Sequence, residues 1–204
     1  METDEQEFRL EILTTSIAGG NRINICLKCV SPICEHITEI LEREFNFYEE
    51  YEINEKVCLI QIGLEIYDEI QKDTAVYGVK YKAYLSDFYN NVTKYGKGLS
   101  YLSKKLKGGA AALLCMLINN GFSSGFLRED DIIVLDASGE LENKDMFMLL
   151  DYYTSLGFKE SYPDMINIYM DHLTVPMYGK VKDILNKCSQ KQFSQELRQV
   201  LEQL

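Results

Sequence analysis

The chain has 204 residues, 46% hydrophobic and 26% charged, which describes a globular protein long enough to bury a core without metals or disulfides. Its formal net charge is −11. A field of that sign repels phosphate backbones, so a general nucleic-acid binder is disfavoured and cationic partners such as amines, lysine side chains or basic tails are favoured.

No stretch approaches the roughly 20 apolar residues that span a bilayer. Met1 to Glu7 is acidic and polar, where a secretory leader needs a basic start and then an apolar run. An intracellular, cytoplasmic protein with no membrane partner is expected. Its six cysteines, Cys26, Cys29, Cys34, Cys58, Cys115 and Cys188, are then expected as reduced thiols.

Phe8 to Ile17 alternates apolar and polar residues and predicts a strand, Ala18 to Asn21 a turn, and Arg22 to Val30 a second strand closing a hairpin. Cys26, Cys29, Cys34 and His36 have a zinc-like look. Alternation of Ile23, Ile25, Leu27 and Cys29 instead points Cys26 and Cys29 to opposite faces, so no metal site is expected. Ser31-Pro32 predicts a helix start, with apolar spacing to about Phe45, and Tyr48 to Glu55 an acidic surface stretch. Lys56 to Tyr67 and Thr74 to Leu85 predict strands, Ser86 to Lys94 a loop, and Gly98 to Lys104 a short strand.

Gly108-Gly109 then opens an apolar helix that Asn119-Asn120-Gly121 is expected to end. Asp131 to Ala137 predicts a strand covered on both faces, Asn143 to Leu156 a helix ended by Gly157, and Met165 to Leu173 a strand. Val181 to Cys188 and Phe193 to Leu204 carry helical spacing. The sum is a mixed sheet with flanking helices.

The turn at Gly108 carries the chemistry. Two residues without side chains stand at a helix start whose first amides lack partners within the helix. Such amides donate to phosphate oxygens, and the helix dipole adds to the attraction. Lys104, Lys105 and Lys107 concentrate positive charge there in an acidic protein. The segment lacks the spaced glycines and Gly-Lys-Ser/Thr ending of a Walker loop. It also lacks the acidic residue that closes a dinucleotide fingerprint.

This order of parts resembles the GNAT superfamily of N-acetyltransferases. That family's acetyl-CoA loop reads Gln/Arg-x-x-Gly-x-Gly/Ala at a helix start. Lys105-Leu106-Lys107-Gly108-Gly109-Ala110 matches it with Lys in the first place. The family's next strand is apolar, like Ile132 to Leu135, and its next helix ends in a Tyr-x-x-x-Gly-Phe pattern, matched by Tyr153 to Phe158. The resemblance covers roughly Tyr77 to Phe158.

It implies one α/β (α+β) domain over residues 1–204 with a mixed, mostly antiparallel sheet and a helical extension over about 178–204. It implies acetyl-CoA as cofactor, with the pyrophosphate at Lys105, Lys107, Gly108, Gly109, Ala110 and Ala111. Pantetheine would lie along the backbone of Leu102 and Ser103. Tyr153 would be the general acid that returns a proton to the CoA thiolate.

Two departures stand out. Where the family often has Asn on the later helix this chain has Met146, with Asn143 one turn earlier. The short strand before the loop offers Ser100, Tyr101 and Ser103 but no carboxylate, so Glu65, Asp87 and His172 are the substitutes for a general base.

The implied function is acetyl transfer to a small-molecule or protein amine, with a homodimer left open. The alternatives are a non-catalytic protein of the same fold that binds CoA or a protein partner, and an unrelated interaction protein using its C-terminal amphipathic helix.

Overall fold

The computed structural model describes residues 8–29, 58–72, 76–90, 104–140, 145–161, 167–169 and 172–202. Its strands are β1 (Phe8–Ile17), β2 (Gly20–Cys29), β3 (Cys58–Gln71), β4 (Tyr81–Asn90), β5 (Ile132–Glu140), β6 (Lys159–Glu160), β7 (Asn167–Tyr169) and β8 (His172–Lys180). Its helices are α1 (Gly109–Ser123), α2 (Asp145–Ser155), α3 (Val181–Gln190) and α4 (Gln195–Glu202). The strands form one mixed sheet in the order β1-β2-β3-β4-β5-β8-β6, with β7 also on β8. Every pairing is antiparallel except β4 with β5. The expected mixed, mostly antiparallel α+β class is the observed one.

Period-two alternation decides which side of the sheet is the core. Ile25, Ile60, Ile62, Leu64, Ala83, Leu85, Ile133, Leu135 and Met177 share one face, all buried in one cluster with residues of the four helices. Helix α1 is apolar nearly all round and packs on β3, β4 and α3. The C-terminal pair α3 and α4 joins the same core through Val181, Ile184, Leu197 and Val200. No described helix is long and apolar enough to cross a membrane.

Four expectations are corrected. The strand predicted from Thr74 begins only at Tyr81, because Tyr77-Gly78 forms a turn with Gly78 at φ 66°. It runs on to Asn90, through the predicted loop at Ser86, because β3 supplies partners as far as Ile60↔Asn90. Helix α1 passes through Asn119-Asn120-Gly121. Gly121 is buried there, its missing Cβ leaving 3.0 Å to Leu127 Cδ1. The left-handed stop is Gly125 at φ 77°, where Phe126 N donates to Gly121 O and Gly125 N to Phe122 O. The strand predicted over Met165 to Leu173 is instead the paired β7 and β8, the latter reaching Lys180.

The fourth correction concerns the cysteines. Cys26–Cys58 joins β2 to β3 and Cys115–Cys188 joins α1 to α3, with Cα separations of 5.5 and 5.7 Å. Both lie within the reach of a disulfide. The partners are 32 and 73 residues apart, so only the fold brings them together. Cys26 is thereby removed from the zinc-like group, whose Cys34 and His36 lie outside the described residues.

Gly157 ends α2 at φ 98°, and a Cβ there would stand 3.1 Å from Asp183 O and Ile184 Cα. Neither the backbone angle nor the neighbouring main chain can yield cheaply. Gly157→Ala is therefore expected to cost about 1–3 kcal/mol in urea denaturation. An unchanged midpoint and slope would contradict this packing.

Candidate active site

The site begins with a seam that stops early. Strand β4 pairs with β5 through only Ala83↔Ile133, Tyr84↔Val134 and Leu85↔Leu135. Strand β4 continues beside β3 to Asn90, and β5 continues beside β8 to Glu140. The two strands therefore part after Leu85 and Leu135 and leave a gap inside the sheet. The cause is local: Leu64 faces Leu85 but Gly63 faces Asp87, so Ser86 is an extra, bulged residue. A bulge bends its strand and increases the twist.

On the helix face, the start of α1 presents amides that precede the first helical hydrogen bond. Gly108 adopts φ 82°, and Gly109 N donates to Leu106 O at 2.9 Å. The first intrahelical closure is Ala112 N to Gly108 O at 3.0 Å, so the amides of Ala110 and Ala111 precede it. There is no acidic residue in the first turn. A cavity of about 680 Å³ opens there, lined by Lys104, Lys107, Gly108, Ala111, Lys191 and Tyr152. The α3–α4 connection closes its outer side with Gln192, Phe193 and Ser194, and Glu196 is the single carboxylate in the lining.

The predicted cofactor residues separate into three groups. Lys107, Gly108 and Ala111 line the cavity. Gly109 and Ala110 are in the core, where a Cβ on Gly109 would meet Ile60 Cδ1 at 2.7 Å, so that glycine serves helix-on-sheet packing. Lys105 turns away, its ammonium 5.2 Å above the Phe8 ring. Leu102, Ser103 and Asn143 lie outside the described residues, as do Ser100 and Tyr101. Met146 is buried.

Aromatic ring contacts link Tyr152 of the cavity lining to β4. Tyr152, which lines the cavity, and Tyr153 stack around Phe88 with centroids 5.9 and 5.8 Å from it. Phe88 belongs to the part of β4 beyond the bulge and faces the helices opposite Ile62. Burial, aided by Tyr152 and Tyr89, pushes the Tyr153 hydroxyl well above its usual range, and burial pushes Tyr152 up to about 12. Both phenols keep their protons at neutral pH.

The opposite face of the same gap is polar. The guanidinium of Arg22 pairs with Asp87, reaches Glu65 at 3.9 Å and donates to Asn24. Gly63 makes this convergence possible, since a Cβ there would stand 2.8 Å from Ser86 Oγ and 3.1 Å from Asn24 Oδ1. Tyr67 donates to Glu65 at 2.8 Å, and Tyr77 and Tyr84 both donate to Asp136, at 3.0 and 3.3 Å. Burial and Asp136 push the Tyr84 hydroxyl up to about 12.

The structure thus brings Glu65 and Asp87 together through Arg22, on the side of the sheet away from Tyr153. The described strand beside β5 is β4, which carries Asp87, whereas residues 98–103 of the expected short strand lie outside the described residues. His172 opens β8, and its side chain lies outside the described residues. Arg22, Asp136 and the tyrosine row escaped sequence reasoning. The one available signal was Gly63, an isolated glycine in an apolar strand.

No family model matches the chain, and no curated protein matches it in sequence. Among solved structures the chain is similar to FeeM, an N-acyl amino acid synthase from uncultured soil microbes. The TM-score is 0.37 at 13% identity, over 79% of this chain and 93% of that one. At that TM-score the functional reading rests on the geometry above.

The raised tyrosines have a consequence in alkali. Between about pH 10 and 12 an unfolded tyrosine ionises while Tyr84 and Tyr152 in the fold stay protonated. The native state then binds more protons, so stability, fully present below pH 10, falls through this window. Urea denaturation across pH 9–12 is expected to show the fall, and Tyr84→Phe with Tyr152→Phe a shallower one. Equal slopes would contradict the assignment.

Proposed function

We propose that the chain is an acyl-CoA-dependent N-acyltransferase with a GNAT-like arrangement, using acetyl-CoA as donor and an amine as acceptor. The observation that carries this reading is a helix start with amides that precede the first helical hydrogen bond, opening on a cavity that reaches Tyr152, in a fold whose β4–β5 seam ends after Leu85 and Leu135. The residues present fit the group. Lys104, Lys107, Lys191 and the amides of Ala110 and Ala111 would hold the pyrophosphate.

Past the bulge, β4 is no longer paired with β5 over Ser86 to Tyr89 among the described residues. Those backbone groups would hold the pantetheine arm and an oxyanion, alongside or in place of Leu102 and Ser103. When bound, acetyl-CoA supplies an electrophilic thioester carbonyl. Tyr153, buried and protonated against Phe88, would be the proton donor to the leaving sulfur. Glu65 and Asp87, tied to Arg22, give the amine-facing mouth its negative charge.

A second reading, a CoA-binding protein without turnover, is favoured by one observation: both predicted base candidates are engaged by the same guanidinium. Thiol release with a panel of amines separates the two.

Acetyl-CoA is expected to raise the thermal midpoint, by an amount equivalent to about 2.7 kcal/mol at 100 times Kd. The shift should shrink in a Lys104→Ala, Lys107→Ala, Lys191→Ala variant. Tyr153→Phe should keep the shift and lose about 10²-fold or more in turnover. No midpoint shift at millimolar acetyl-CoA would overturn the proposal, and unchanged turnover in Tyr153→Phe would overturn the proton-donor role.

A further inference from the structure

We propose that Asp136 is the group that receives the acceptor amine, binding it as a primary ammonium and taking its proton. The inference rests on the acyltransferase reading and adds a residue to it. Asp136 is the first residue of β5 past the last β4–β5 pair, so it stands at the root of the gap. Its neighbours Leu135 and Ala137 are buried on the helix face. Alternation therefore puts its carboxylate on the opposite face, the one that carries Arg22 and Glu65.

Three features suit it to an ammonium. First, the hydroxyls of Tyr77 and Tyr84 both donate to the same oxygen, Oδ2. They fix the plane of the carboxylate and leave Oδ1 to a ligand. Second, Glu65 and Asp87 are engaged by Arg22, whereas Asp136 is held by neutral phenols among the described residues. Of the three carboxylates it is the one with no guanidinium beside it among the described residues.

Third, Tyr81 and Tyr84 pack against Tyr77 with centroids 5.4 and 6.5 Å away. Aromatic faces beside a carboxylate attract an alkylammonium by cation–π contact as well as by charge. The proton balance is simple: R–NH₃⁺ and the carboxylate become R–NH₂ and the carboxylic acid, which then returns its proton to solvent. The neutral nitrogen is left at the root of the gap.

The protein has 14 tyrosines and no tryptophan, so its near-ultraviolet spectrum reports on phenols alone. Titration of the full chain with n-butylammonium is expected to give a saturable tyrosine difference spectrum, with n-butanol giving none. Asp136→Asn keeps an oxygen acceptor for both phenols and is expected to weaken Kd at least about tenfold. Tyr84→Phe should weaken it several-fold, and Glu202→Gln, at the exposed end of α4, should leave it within about twofold.

With acetyl-CoA present, Asp136→Asn should raise KM for the amine and leave KM for acetyl-CoA unchanged. Equal n-butylammonium affinity in wild type and Asp136→Asn, or no saturable spectrum in wild type, would overturn the assignment. The thermal shift with acetyl-CoA distinguishes the failures. A shift without ammonium binding removes Asp136 alone, whereas ammonium binding without a shift removes the acyl-CoA reading and leaves Asp136 as an amine site.

Discussion

The whole arrangement depends on a parallel seam only three residue pairs long. Strands β4 and β5 are the one parallel neighbours in the sheet, so the chain must cross over between them, and the crossover includes α1. The bulge at Ser86 then turns β4 away before the seam can lengthen. Beyond it β4 stays with β3 and β5 with β8, so the seam ends after Leu85 and Leu135.

The two faces of the sheet have opposite character. On the helix face, backbone amides and three lysines meet at the start of α1, in a protein whose net charge is −11. On the other face, three carboxylates lie among tyrosines and a single guanidinium. An anionic donor and a cationic acceptor would approach from separate sides without competing for one field. The C-terminal helices complete the anion side: Cys188 binds α3 to α1, and Phe193 stands against Gly108, 3.6 Å from where a Cβ would lie.

What was legible in the sequence follows from range. The β1–β2 hairpin, the apolar helix after Gly108 and the buried strand Ile132 to Leu135 declare themselves through period and local turn chemistry. Gly108 and Tyr153 can be singled out for the same reason, since their surroundings are contiguous in sequence. The polar mouth was not. Arg22 and Asp87 are 65 residues apart, and Tyr77 and Asp136 are 59 apart. Their meeting depends on β2, β3, β4 and β5 lying side by side, which no local pattern states. Ser86 to Asn90 read as a loop because Asp87 and Asn90 are turn-formers, and the ladder with β3 overrode that preference.

The central claim is that the helix start and the gap form one ligand site. It is tested most directly by following backbone amide resonances during titration with coenzyme A. The expected result is joint, saturable perturbation of Ala110 and Ala111 at the start of α1 and of Ser86 to Asn90 on β4, with one dissociation constant. Absence of any shift at millimolar ligand, or shifts at the helix start with β4 unmoved, would contradict it.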